Sequence, residues 1–278
     1  MKKLFCIIML LFVAASLFSQ SAMDYFSMAE KARKNYEYEK AIEYYKKAGE
    51  LWLEDGIREF YAIMQNKIGY LYKGLGKYDL ALVYYKRALA VDEEIGDNKG
   101  VATDLSNIGA VYQAKGCFDQ ALEYYKRALQ IDKELGDKAA VAVVLNNIGT
   151  LYQHWGKYDL ALEYYERVIA AFEDLEQKKA VATVLNNIGM VYQSWGKYDL
   201  ALEYCERALV IDEELGDKAG VAISLNNIGL VYQTLGKYDQ ALEYYERTLS
   251  IVQELEDKAG VALCLNNIGG VYQSRGKY

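Results

Sequence analysis

The chain has 278 residues, 53% of them hydrophobic and 26% charged, with no proline and a formal net charge of −7. These values exclude a disordered or collagen-like chain, suit an all-helical protein, and argue against a general affinity for nucleic-acid phosphates.

In chain order, Met1-Lys2-Lys3, the apolar run Leu4 to Phe18 and Ser19-Gln20-Ser21-Ala22 have the charged, apolar and small-residue regions of a secretory signal peptide. Residues 1–21 are therefore expected to be removed near Ser21, leaving an exported protein, periplasmic or extracellular. The apolar run is shorter than the roughly 20 residues that span a bilayer, so an uncleaved anchor is the lesser reading. Cys6 belongs to this segment. Cys117, Cys205 and Cys264 fall in a turn, a second helix and a first helix of the repeat described next, so isolated thiols are expected.

From residue 22 onward one pattern recurs every 40 residues without insertion or deletion. A glycine returns at Gly69, Gly109, Gly149, Gly189, Gly229 and Gly269, and an alanine at Ala41, Ala81, Ala121, Ala161, Ala201 and Ala241. A fixed period in this range marks units that stack to share a core. Residues 22–61 read as a degenerate first repeat, with Ala29 and Tyr36 in glycine slots, and residues 62–261 as five regular repeats. Residues 262–278 read as the first helix of a truncated further repeat, so the sequence is expected to be a fragment of a longer protein.

Within a repeat the apolar spacing is helical. Leu225, Ile228, Tyr232 and Leu235 share one stripe of a first helix, and Ala241, Leu242, Tyr245 and Leu249 one stripe of a second, each helix running ~15–18 residues. Gly236-Lys237-Tyr238 is the predicted turn, with Asp239 and its equivalents Asp79, Asp119, Asp159 and Asp199 as N-caps. Between repeats, Gly216 is expected to end one helix in a left-handed turn and Asp217 to cap the next. Gly229, inside a helix, costs about 1 kcal/mol against alanine, which predicts close approach of the partner helix. Pairs such as Glu123 with Arg127 and Glu243 with Arg247 are expected to bridge on a solvated face.

Gly229, Tyr232, Gly236, Tyr238, Ala241 and Tyr245 resemble the helix-turn-helix pattern of tetratricopeptide repeats. The 40-residue period is similar to the extended variety of Leu-Gly-Asn-repeat scaffolds and kinesin light chains. Glu93, Lys133, Glu173, Glu213 and Gln253 stand where the ordinary repeat ends its second helix with proline. The resemblance implies an all-α fold, a right-handed superhelical solenoid of stacked antiparallel helix pairs. It also implies a concave groove lined by the first helices, where a partner peptide binds.

Carried onto this sequence, the peptide-binding amides are Asn66, Asn107, Asn146, Asn147, Asn186, Asn187, Asn226, Asn227, Asn266 and Asn267. Beside them stand Gln113, Gln153, Gln193, Gln233 and Gln273. Side-chain amides both donate and accept, as a peptide backbone does, so such a ladder grips a main chain with little regard to sequence. Specificity then falls to the variable slots: Tyr70, Ala110, Thr150, Met190, Leu230 and Gly270, with Gly74, Ala114, His154, Ser194 and Thr234. The alternative is that the amides bond to neighbouring repeats and set their pitch, for which the second asparagine of each pair is better placed. Lys73 is the one cation expected in the groove. The recurring tyrosines, with Trp155 and Trp195, read as packing.

His154 is the single histidine, no nucleophile elbow or paired metal-ligand motif is present, and the carboxylates follow capping and pairing logic. The reading is therefore no enzyme, no metal and no cofactor. The function expected is an exported protein-interaction scaffold binding a partner peptide. The alternatives are the sensory input domain of a membrane signalling protein whose transmembrane and output parts lie beyond Tyr278, and a structural cell-envelope assembly protein. Partners are then a protein or peptide, with no nucleic acid. Membrane contact would come only through the signal segment or a missing C-terminal span, and self-association through the uncapped C-terminal end.

Overall fold

The computed structural model describes residues 21–174 and 176–276, so the predicted signal segment, apart from Ser21, lies outside the described residues. Every described element is a helix: α1 (residues 21–34), α2 (Tyr38–Glu54), α3 (Arg58–Gly74), α4 (Tyr78–Ile95), α5 (Asn98–Ala114), α6 (Phe118–Glu134), α7 (Lys138–His154), α8 (Tyr158–Asp174), α9 (Lys178–Ser194), α10 (Tyr198–Leu215), α11 (Lys218–Thr234), α12 (Tyr238–Glu254) and α13 (Lys258–Ser274). This is the all-α repeat fold that the 40-residue period predicts. The helices fall into two compact units that part between Asp137 and Lys138, α1–α6 in the first and α7–α13 in the second. Among the described residues no helix is long and apolar enough to cross a membrane.

From α3 to α12, each odd-numbered helix packs closely against the even-numbered helix that follows it. The contact is made by the recurring glycine. A Cβ on Gly149 would lie 2.9 Å from the Tyr165 ring, and one on Gly229 2.8 Å from Tyr245. The side chain that fills this space is buried, with Tyr165 and Tyr245 both 0% exposed; in the α9–α10 pair it is Cys205, also 0% exposed. Around it lie the predicted stripe residues, among them Leu225, Ile228 and Ala241, together with Val231, which the stripe as predicted omits. Each fully buried side chain of this size contributes about 1.5–3 kcal/mol.

The turns are built alike. Gly236 takes φ +70°, its N–H bonds to the Gln233 carbonyl at 3.0 Å, and the Lys237 N–H returns to the Tyr232 carbonyl at 2.9 Å. That closure carries the chain straight into the next helix and corrects one expectation. Lys237, not Asp239, is the N-cap of α12, just as Lys77, Cys117 and Lys197 cap α4, α6 and α10 without a side-chain cap bond. The aspartates sit in the first turn, where the free amides still favour a negative charge. Their carboxylates reach outward, Asp79 to Lys115 and Asp239 to Arg275, each at 2.7 Å. Between repeats Gly96 and Gly216 are left-handed as expected, and Asp217 stands at the N-cap of α11 but makes no side-chain cap bond, whereas the equivalent Asp97 carboxylate accepts from the amides of Lys99 and Gly100.

The arginines of the second helices differ from their predicted pairing. Among the described residues no ion pair joins Glu123 to Arg127 or Glu243 to Arg247. The guanidiniums of Arg127, Arg167, Arg207 and Arg247 instead lie 5.8, 4.8, 4.8 and 5.5 Å from the rings of Tyr124, Tyr164, Tyr204 and Tyr244. A ring three residues earlier offers a desolvated face that an exposed glutamate cannot match. Trp155 and Trp195 stack on Tyr152 and Tyr192 and are covered by Lys157 and Lys197 at 3.2 and 3.3 Å.

Two substitutions read these constraints. Gly149→Ala is expected to destabilise by about 1–2 kcal/mol net, its overpacking cost exceeding the helix-propensity gain. Glu256, held at φ +54° in a slot that is glycine in other repeats, should become more stable as Glu256→Gly by about 1 kcal/mol. Chemical denaturation of each variant checks both signs.

Candidate functional site

The face formed by the odd-numbered helices is where the sequence places the amide ladder. A helical repeat brings Asn226, Asn227, Leu230 and Gln233 to one side of α11, turned away from the Leu225 and Ile228 stripe. The structure joins the amides across successive first helices. In the first unit the Asn107 amide donates to the Asn66 carbonyl at 3.3 Å. In the second, Asn187 donates to Asn146 at 3.0 Å, Asn227 to Asn186 at 3.2 Å and Asn267 to Asn226 at 2.9 Å.

Each rung uses one N–H of the second asparagine and the carbonyl of the first. An asparagine offers two N–H donors and an acceptor with two lone pairs, so every rung leaves hydrogen-bonding capacity on both partners. Most rung residues are half-buried, and Asn266 is exposed. Asn186 is the exception at 5% exposure: its amide donates to the Ser224 hydroxyl at 2.8 Å, which in turn donates to the Asp212 carboxylate at 2.9 Å. Burial raises the Asp212 pKa, and the Ser224 bond opposes that shift.

The glutamines divide between two tasks. Gln113 and Gln233 accept from the hydroxyls of the buried Tyr125 and Tyr245 at 2.9 and 2.8 Å, tying the ladder to the core tyrosines. Gln193 donates to the Thr234 hydroxyl at 3.0 Å, another link between first helices. Gln153 is half-buried, as is Asn147, and Gln273 is exposed.

The variable slots lie on the same face. Tyr70 is 62% exposed, and Ala110, Met190, Leu230 and Gly270 are half-buried. The Thr150 hydroxyl turns inward to the Asn146 carbonyl at 3.1 Å and the Tyr165 hydroxyl at 2.9 Å, so its methyl and backbone are what the face presents. His154 is exposed at the end of α7.

Two clusters go unread in the sequence. Lys67 occupies the slot that holds the second asparagine elsewhere, and it pairs with Glu30 of α1 at 2.8 Å. Glu30 also pairs with Arg33 at 2.8 Å and accepts from the Tyr45 hydroxyl at 2.6 Å. Burial pushes the Glu30 pKa up, and the bonds from Lys67, Tyr45 and Arg33 outweigh it and hold it down at about 2. With Asn66, Asn107 and Tyr70, Lys67 and Arg33 border a cleft of about 380 Å³. Lys73, the cation singled out from sequence, is half-buried and its pKa is lowered by burial. The second cluster is Asp92 with Asp104, both buried; Asp132 and Asp212 are buried at the repeat slot of Asp92 elsewhere in the chain. The signal for it was the aspartate that recurs at one slot of the second helix in three repeats, on the buried side of an otherwise apolar stripe. Among the described residues, no three histidine, cysteine or acidic side chains gather as a metal site.

The tetratricopeptide repeat family model matches residues 19–98, 100–174, 180–254 and 220–278. Among solved structures the chain is similar to BtubC (BKLC) from P. vanneervenii, at 25% identity over 86% of this chain and 92% of that one, with a TM-score of 0.61. It is also similar to a Rap protein complexed with Competence and Sporulation Factor, at 18% identity over 91% and 75%, with a TM-score of 0.63. Kinesin light chain TPR-like repeats from Podosopora anserina share the fold at 18% identity over 70% and 96%, with a TM-score of 0.54. No curated protein matches the chain.

The rungs differ in what their loss leaves behind. Asn187→Ala, at a half-buried rung that water can reach, is expected to cost about 0.5–1.5 kcal/mol. Ser224→Ala strands a buried amide and a buried carboxyl together and is expected to cost more, about 1–3 kcal/mol. Urea unfolding of the two variants side by side reads the order.

Proposed function

Because the chain belongs to the tetratricopeptide repeat family, we propose that it is an exported protein-interaction scaffold whose first-helix faces hold an extended segment of a partner protein. The observation that carries this reading is the combination on those faces. Rows of half-exposed amides keep unused donors and acceptors, while the slot between them changes from Tyr70 to Ala110, Thr150, Met190, Leu230 and Gly270. The constant amides suit the constant main chain of a peptide, and the changing slot suits its changing side chains. A Rap protein of the same fold holds Competence and Sporulation Factor, which supports a ligand-holding role for the fold without naming this ligand. The charged, apolar and small-residue order of residues 1–22 supports export, with cleavage near Ser21.

Selection of a random peptide library against the chain, followed by calorimetry, tests the reading. Met190→Glu together with Leu230→Glu breaks no described hydrogen bond and is expected to weaken the selected peptides about tenfold or more, ~1.4 kcal/mol, with helicity retained. A library that yields no binder, or binders indifferent to the double substitution, overturns it. Expression with the native N-terminus should give a mature protein whose intact mass begins within a few residues of Ser21, and an uncleaved chain would remove the export reading.

A further inference from the structure

One slot of the second helix, held by Trp52, Asp92, Asp132, Phe172, Asp212 and Val252, is buried, and within a unit it has its counterpart twelve residues later on the next first helix, as Asp212 has Ser224. In the second unit that slot pair is either apolar or satisfied. Phe172 and Val184 are buried apolar residues, Asp212 receives the Ser224 hydroxyl, and Val252 packs in one cluster with Cys264. In the first unit Trp52 and Met64 are likewise apolar and share one cluster, but the next pair is Asp92 on α4 and Asp104 on α5, two carboxyls at 4% and 0% exposure.

The charged groups that act most strongly on the pair are all acidic. Asp97, in the connection between the helices, and Glu59 of α3 both add negative charge at Asp92. The carboxylates of Asp92 and Asp97 both crowd the backbone of Gly100 so closely that a Cβ there would collide with them. On the other side Asp104 meets Asn66 of α3 and adds negative charge at the buried Tyr85 of α4. Cations on the adjoining helices are engaged elsewhere: Arg58 of α3 pairs with Glu94, and Lys99 of α5 pairs with Asp137 at 3.2 Å and faces Asp132 of α6. Both carboxylate oxygens of Asp104 are buried without a hydrogen bond of ordinary geometry, the Asn66 amide beside them notwithstanding. Asp92 and Asp104 act directly on one another across the α4–α5 interface, and two carboxylates have no proton to give one another. A single proton supplies the missing donor.

We propose that Asp92 and Asp104 form a one-proton latch between α4 and α5, whose release to water at alkaline pH sets two like charges face to face and loosens this repeat. Two buried carboxylates without a counter-ion, helped only by the Asn66 amide at Asp104, do not ionise together cheaply, so the folded state keeps a proton that the unfolded chain has given up. Burial raises the proton affinity of both groups. The Asn66 amide opposes this at Asp104, where the charges of Asp92 and Asp97 add to it; Asp97 and Glu59 add to it at Asp92, which the bond with Asp104 eases. The sign is therefore the reverse of a salt-bridged aspartate. The folded form binds more protons than the unfolded chain above the ordinary aspartate value of about 3.9, and stability falls as pH rises through the raised range. Asn66, beside Asp104, also accepts the rung from Asn107, so the latch adjoins the amide face of the first unit.

Hydrogen–deuterium exchange of the full chain, corrected for intrinsic rates, tests the latch between pH 5.5 and 9. Protection of α4 and α5 is expected to fall by up to about tenfold per pH unit, while α8 and α9, joined through Phe172 and Val184, stay level. Asp104→Asn keeps the shape, provides a permanent donor and should abolish that slope. Infrared difference spectra at pH 7 should show the carbonyl stretch of a protonated carboxyl in the parent and lose it in both Asp104→Asn and Asp92→Asn. Asp104→Ser, copying the Asp212–Ser224 pair, serves if either amide variant does not fold. Equal pH slopes in parent and variant, or no protonated carboxyl at pH 7, overturn the proposal.

Discussion

The structure depends on a glycine that lets a tyrosine ring lie flat against a helix backbone. Gly69, Gly109, Gly149 and Gly229 each leave a space that the ring of Tyr85, Tyr125, Tyr165 or Tyr245 occupies, with less than 3 Å between the ring and where a Cβ would stand. This contact sets the spacing of the paired helices, and spacing decides everything further out. It buries the tyrosine completely while leaving its hydroxyl at the margin, where Gln113 and Gln233 accept from it. Where Cys205 replaces the tyrosine, Gly189 is retained and its missing Cβ is matched by the cysteine sulfur and the Ala201 carbonyl. The close approach survives the change of side chain because it belongs to the backbone.

From that spacing the first helices of successive repeats come within reach of short side chains. An asparagine is long enough to bridge them and carries both a donor and an acceptor, so identical residues in successive repeats bond to each other without any charge. The rungs thus belong to the architecture and to the surface at once. They use part of each amide to hold one repeat to the next and leave the remainder facing outward. Asn186 shows the limit of this double use, since its burial and its bond to Ser224 give it wholly to the interior.

The buried slot between repeats is the least regular feature of an otherwise regular chain. It holds aspartate against aspartate, phenylalanine against valine, aspartate against serine and valine against cysteine, all between nearly identical helices. A repeat tolerates such variation because the stack is a sum of local interfaces, each answerable only to its neighbours. Polar satisfaction and volume are settled interface by interface, and so is any sensitivity to pH.

The helices, their pairing and their turns were legible in the amino-acid sequence because a period of 40 residues writes each local rule several times over. Gly229 inside a helix announced a close approach before any partner was known, and the amide rows were countable from Asn146 to Asn267. The caps were misplaced by two residues at Asp79 and Asp239, because the glycine turn enters the helix sooner than side-chain preference indicates. Arg127 and Arg247 were assigned to glutamates, because sequence spacing does not show which nearby group is desolvated. Lys67 with Glu30 and Asp92 with Asp104 were missed altogether. Sequence by itself determined what recurs, since repetition averages over local accidents. Only the tertiary structure decided which polar groups meet, because a hydrogen bond or a shared proton depends on a few tenths of an ångström between helices that no spacing along the chain records.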